Sequence, residues 1–188
     1  MSHDFYNTIE DNPIIAAINN VNQVDDAIKS PCKIVFLLTG DILNIEGIVQ
    51  NLRDNGKKVY VHIDLIGGFS KDITALRYIS KNIKPDGIIT TKSNLVKAAK
   101  ELNIFTIQRL FLLDSLALVS GINSIKSIRP DAVEILPGIM PKIIEEIRIE
   151  TRIPIIAGGL IRDKSDVIGS LNAGAIGIST SNQEVWYM

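Results

Sequence analysis

The chain has 188 residues, 46% of them hydrophobic and 22% charged, with a formal net charge of -1 at pH 7. That balance excludes a protein-wide basic field for non-specific nucleic-acid binding and leaves only local basic patches. No apolar run is long enough to span a membrane, and the opening "MSHDFYNTIEDN" is acidic and polar, unlike a signal peptide. A single cysteine, Cys32, excludes a disulfide framework or thiolate zinc cluster; it reads as a small buried residue and the address as cytoplasmic.

Along the chain, short β-branched runs alternate with helix-like spacing. "PIIAAIN" from Pro13 and "IVFLLTG" from Ile34 are followed by "NIEGIVQNLRDNGK", which puts Ile45, Ile48, Val49 and Leu52 on one face and ends at Asn55-Gly56. "KVYVHID" from Lys58 precedes "DITALRYISKNIKPDG", with Ile73, Leu76 and Ile79 on one face and a stop before Pro85. Next come "DGIITTK" from Asp86 and "IFTIQRL" from Ile104, then "SLALVSGINSIK", for which Asp114-Ser115 reads as an N-cap. "DAVEILPG" from Asp131, "IPIIAGG" from Ile153, "SDVIGSLNAGA" and "AIGISTS" from Ala175 complete the series. Near-continuous apolar strands between amphipathic helices predict a parallel sheet covered by helices.

Eight such units average about 23 residues each, which predicts a compact α/β protein: one short-looped (β/α)8 TIM-type barrel domain spanning residues 1–188. The competing open doubly wound sheet would carry a first-turn G-x-G-x-x-G, and none follows the early strands. Two junctions repeat, "IKPDGIIT" and "IRPDAVEI"; repeated βα units and shared junction chemistry both account for them.

Function in a barrel gathers at the C-terminal strand ends. Gly158 and Gly159 end the seventh strand, and Ser179, Thr180, Ser181 and Asn182 end the eighth. The loops after these two strands are a common phosphate site, where backbone N–H groups and a helix N-terminus meet the anion. The alternative for the glycine pair is a tight strand-to-helix turn. Residues two apart share a strand face, so Asp64, Lys92 and Glu134 are expected to converge above the core, with Gly138 in the loop after the sixth strand. Lys92 is open to three readings: an anion contact, a Schiff-base lysine of depressed pKa, or an ion pair with Asp64 or Glu134. His62 reads as a hydrogen-bonded lumen histidine, and with so few histidines no metal site is expected. Arg109, amid apolar residues, needs either an anion or a carboxylate such as Asp114 or Glu134.

The blocks "FLLTGDILNI", "VHIDLIGG", "KPDGIITTKS", "TIQRLFLLDSLAL", "RPDAVEILPGIMPKII", "PIIAGGLI" and "NAGAIGISTSN", covering the chain from about Asn12 onward, resemble the glycerol uptake operon antiterminator regulatory protein family. The resemblance implies a barrel that senses glycerol-3-phosphate as effector, without a further cofactor or metal. It also implies binding to leader mRNA of glycerol-utilisation genes, where premature transcription termination is prevented, with no established catalysis. It carries no RNA motif; basic candidates are Lys71, Arg77, Lys81, Lys84, Lys97 and Lys100, or Lys126, Arg129, Lys142, Arg148 and Arg152. One departure is Gly67, where an acidic residue is expected in relatives, which implies altered ligand binding if that residue touches the ligand. Homo-oligomerisation stays open. The alternative is an aldolase, isomerase or phosphodiesterase acting on a small phosphorylated substrate, with Lys92 as nucleophile or electrostatic stabiliser and Asp64 or Glu134 as acid–base group.

Overall fold

The computed structural model describes residues 2–188, with side chains from residue 4. The strands are β1 (Ile14–Ile18), β2 (Ile34–Leu37), β3 (Lys58–His62), β4 (Gly87–Thr90), β5 (Phe105–Phe111), β6 (Ala132–Leu136), β7 (Ile155–Gly158) and β8 (Gly177–Thr180). All are parallel, each pairs with its sequence neighbour, and β8 pairs with β1 to close the barrel. Helix α1 (Ser2–Asp11) precedes β1. The others follow successive strands: α2 (Val24–Lys29), α3 (Ile45–Asp54), α4 (Ile73–Tyr78) extended by a π-helical turn (Ile79–Ile83), α5 (Ser93–Glu101), α6 (Ser115–Ile128), α7 (Pro141–Thr151) and α8 (Lys164–Asn172). A 3-10 turn at Val185–Tyr187 follows β8. Each of the eight predicted runs is a strand of this (β/α)8 barrel.

Alternation along the strands makes two apolar layers. Ile15, Ile34, Phe36, Tyr60, Ile89, Phe105, Ile107 and Ile156 fill the lumen, while Val35, Leu37, Val61, Ile88, Val133 and Ile178 face the helices. The polar opening stretch turns out to be helical. α1 lies across the lower end of the barrel, where Phe5 and Ile9 join the lumen cluster. The Phe5 ring lies 5.2 Å from Tyr60 and 4.7 Å from Phe105, centroid to centroid.

The repeated "I-K/R-P-D" junctions share one chemistry. Lys84 and Arg129 both end a helix in the left-handed conformation, at φ 52° each. Arg53 Nη1 donates to the Lys84 carbonyl at 2.8 Å, and Lys100 Nζ donates to the Arg129 carbonyl. Two residues on, Asp86 accepts from Val59 N at 2.9 Å and Asp131 from Thr106 N at 2.8 Å. Each aspartate thus ties the start of its strand to the start of the preceding one, using backbone donors that the ladder leaves free.

Candidate functional site

The upper ends of β5, β6, β7, β8, β1 and β2 enclose a cavity of about 310 Å3, at the small end of the range for ligand pockets. Its wall contains Arg109, Glu134, Gly159, Ser179, Thr180, Ser181 and Asn182, together with Ala17, Asn19, Leu38, Leu136, Leu160 and Ile161.

Arg109 and Glu134 come together because β5 and β6 pair in a register that places them side by side. Arg109 Nε donates to Glu134 Oε2 at 2.6 Å, with the two side chains 7% and 1% exposed. Of the two carboxylates open to Arg109 from sequence, Glu134 is the partner, while Asp114 accepts from Ala117 N at 2.7 Å as the α6 N-cap. Among the described residues the two terminal nitrogens of Arg109 and Glu134 Oε1 have no hydrogen-bond partner. The pair therefore brings unused donors and an unused acceptor to the cavity wall.

The two glycines have separate causes. A Cβ on Gly158 would stand 2.7 Å from Glu134 Oε1, so the first glycine makes room for the buried carboxylate. Gly159 sits at φ +71°, where a side chain would be strained, and turns the chain into the cavity wall. The backbone N–H groups of Gly159, Leu160 and Ser181 donate to no acceptor within the described residues. The same holds for the side-chain oxygens of Ser179 and Ser181, whereas Thr180 and Asn182 are committed. Thr180 Oγ1 donates to the Ile161 carbonyl at 3.2 Å and accepts from Asn182 N at 3.1 Å. Asn182 Nδ2 donates to the Arg162 carbonyl at 3.0 Å, and Trp186 Nε1 to the Thr180 carbonyl at 2.8 Å. These bonds tie the loops after β7 and β8 into one wall. The N-terminus of α8 is already capped: Asp163 accepts from Asp166 N at 3.0 Å, and Asp166 from Arg162 N at 2.8 Å. An anion here would meet loop N–H groups rather than a bare helix end.

Asp64, Lys92 and Gly138 do not line this cavity. Asp64 accepts from Thr90 Oγ1 at 2.9 Å, Thr91 N at 2.7 Å and Thr91 Oγ1 at 2.9 Å, and so clamps the loop after β4. Lys92 Nζ donates to the Lys71 carbonyl at 3.1 Å, an exposed contact with neither Asp64 nor Glu134. Lys92 makes no bond to either carboxylate it was expected to meet, because β4 ends at Thr90 and its alternation stops before Lys92. Gly138 packs on the β7 backbone, where a Cβ would stand 2.6 Å from Gly158 N. Gly67 bridges to Asp41 between the loops after β2 and β3, and its Cβ would meet Asp41 Cβ at 3.3 Å. An acidic side chain at this place would face the Asp41 carboxylate.

His62 points into the lumen below the mouth, 2% exposed, with no partner for Nδ1. Burial, reinforced by the nearby Arg109 charge and opposed by Asp64, pushes its pKa down to about 4. The imidazole is therefore neutral at physiological pH. Among the described residues no group of three His, Cys, Asp or Glu is placed to hold a metal ion, and no helix is long and apolar enough to cross a membrane.

The model of the family described as "Glycerol-3-phosphate responsive antiterminator" matches residues 14–186, a span that contains every residue of the cavity wall. The chain belongs to this family. It is 36% identical over 178 residues to the Escherichia coli (strain K12) protein YgcP, covering 95% of this chain and 93% of that one. The solved glycerol uptake operon antiterminator regulatory protein from Listeria monocytogenes superposes with a TM-score of 0.90 at 34% identity, covering 93% of this chain and 95% of that one. A glycerol uptake operon antiterminator-related protein from Thermotoga maritima gives 0.84 at 34% identity, with coverages of 93% and 98%. The family is named for regulation rather than catalysis.

Of the cavity wall of this antiterminator-family barrel, sequence reasoning named the glycines, the hydroxyls, Arg109 and Glu134, and left Arg109 open between Glu134 and Asp114. It missed the apolar part of the lining, Ala17, Leu38, Leu160 and Ile161, whose side chains carry no motif. Asn19 was legible in principle, as a polar residue directly after an apolar strand.

Proposed function

We propose that this protein is a cytoplasmic glycerol-3-phosphate-responsive antitermination regulator that binds leader mRNA of glycerol-utilisation genes. The observation that carries the reading is the unused donor set of the cavity: the N–H groups of Gly159, Leu160 and Ser181, the hydroxyls of Ser179 and Ser181, and the terminal nitrogens of Arg109. The phosphate of the effector sits on the Gly159, Leu160, Ser179 and Ser181 wall, with Gly158, Thr180 and Asn182 holding that wall in shape. The glycerol hydroxyls pair with Arg109 and Glu134, a donor and an acceptor side by side. Asp64, Lys92 and Gly138 act one step back, by fixing the loops that border the mouth. The single barrel of residues 1–188 serves both as receptor and as RNA-binding body, and the family name supports the choice of effector.

Isothermal titration with glycerol-3-phosphate, glycerol and inorganic phosphate tests the site. Glycerol-3-phosphate is expected to bind at least tenfold more tightly than either fragment, a gap of about 1.4 kcal/mol or more. Replacing both members of the pair (Arg109→Met with Glu134→Met) leaves a buried site without an orphaned charge, and is expected to keep the fold while lowering the affinity at least tenfold. A glycerol-3-phosphate affinity no better than that of phosphate, or unchanged in the double variant, overturns the assignment. A run-off transcription assay on a terminator-containing leader, with and without glycerol-3-phosphate, tests the regulatory half: readthrough should rise only with protein and effector together.

A further inference from the structure

We infer that the face formed by the start of α6 and the loops after β5, β6 and β7 is a homodimer interface, each copy covering the same face of the other. From Leu110 to Ile125 the sequence holds one charged residue, Asp114, although 22% of the chain is charged. That carboxylate is consumed internally, capping α6 through Ala117 N at 2.7 Å. The helix then buries only Gly121 and Ile125 of its 14 residues, whereas α5 buries four of nine. What α6 and its neighbouring loops leave in water is apolar and large: Leu113 is 84% exposed, Leu116 78%, Val119 57%, Leu160 54%, Phe111 52% and Ile139 40%.

These side chains form one patch. Leu116 and Val119 lie about one turn apart on α6, Leu113 just before its N-cap lines one apolar groove of about 290 Å3 with Met140, and Gly138 N donates to the Gly159 carbonyl at 3.2 Å, which joins the Ile139 and Leu160 loops. The six side chains expose roughly 600 Å2, the top of the range for the largest patch on a monomer and most of the roughly 800 Å2 that each partner brings to a standard interface.

The absence of charge identifies the occupant. A two-fold interface sets a surface against its own copy, so an unpaired charge near its centre would be buried without a partner in both copies; a neutral apolar patch is what such pairing needs. An RNA phosphate backbone requires lysines and arginines, and so does an anionic membrane surface; from Leu110 to Ile125 there are none, and Arg162 stands only at the far edge of the face, after Leu160 and Ile161.

Sedimentation equilibrium of the full chain at tens of micromolar tests the inference. The expected mass is twice the 20.7 kDa of one chain. Leu116→Glu and Val119→Glu each bury a carboxylate without a partner in the apolar interface and are expected to return the mass to one chain, with an unchanged far-UV circular dichroism spectrum because both positions are exposed. Ile149→Glu, on the exposed face of α7 away from the patch, is expected to leave the dimer intact. A monomeric wild type overturns the inference, as does a Leu116→Glu variant that stays dimeric. Co-sedimentation of a monomeric wild type with phosphatidylcholine vesicles would assign the patch to a lipid surface instead.

Discussion

His62 carries a pH dependence that no other described group duplicates in kind. It lies in the lumen beside Arg109 with Nδ1 unpartnered, and burial pushes its pKa down to about 4. In the unfolded chain a histidine takes up its proton near pH 6.5. Above that value both states are neutral and the imidazole costs nothing. As the pH falls from about 6.5 toward 4 only the unfolded state binds the proton, so folding stability falls and levels off once the folded state protonates too. The expected loss across that window approaches about 3 kcal/mol. His62→Gln keeps a polar lumen side chain but cannot titrate, and should remove that part of the loss. Urea midpoints at neutral and mildly acidic pH check it: equal pH sensitivity in both proteins would show that His62 is not the group responsible. In the cavity wall, Glu134 decides both its neighbours, since Arg109 answers its charge and Gly158 yields it space. That adjacency depends on strand register, which fixes Arg109 against Glu134 rather than against Asp114 and which the sequence leaves open.

At the scale of elements, the eight strands were legible because barrel strands are buried on both faces and read as unbroken apolar runs. α1 was not, because a ten-residue helix that buries Phe5 and Ile9 shows too few apolar positions to register a period. Its importance appears only once the barrel floor exists for Phe5 to fill. Phe5→Ala should therefore cost about 3–5 kcal/mol, as for a large-to-small change in a packed core. Asp11→Ala, which removes only the exposed pair with Lys33 at 3.2 Å, should cost about 1 kcal/mol at most. Chemical denaturation of the two variants checks the contrast, and equal midpoints would deny α1 its role as a plug. The sites beyond strand ends were legible in type but not in place. Asp64 and Lys92 lie past the last ladder residue of β3 and β4, where period-two alternation no longer governs direction. Their polar character was visible from the sequence, and their partners, the loop donors of Thr90 and Thr91 and the Lys71 carbonyl, became visible only with the loops folded.

For the whole molecule, the net charge of -1 conceals an uneven distribution. Residues 71–100, which build α4 and α5, carry seven basic side chains (Lys71, Arg77, Lys81, Lys84, Lys92, Lys97 and Lys100) against two acidic ones. Both acids are engaged internally, Asp72 capping α4 through Ala75 N at 2.9 Å and Asp86 accepting from Val59 N at 2.9 Å. α4 and α5 are adjacent around the barrel, so the lysines and arginine of their outer faces form a stripe running from the mouth to the floor. The other basic cluster is weaker, since Lys126 already pairs with Glu150 at 2.6 Å. If leader RNA binds along α4 and α5, neutralisation of about four phosphates should give a salt slope near -3 for single-stranded RNA, far below that of a broadly basic protein. Arg77→Glu with Lys81→Glu should weaken binding and flatten that slope by about two phosphates' share, while glycerol-3-phosphate affinity stays unchanged because neither residue lines the cavity. The same reversal at Lys142 and Arg148 should leave RNA binding as it was. Filter binding at several salt concentrations with saturating glycerol-3-phosphate separates the two faces: a slope that flattens only in the second variant would move the RNA to α7 and leave the α4–α5 stripe as solvated surface.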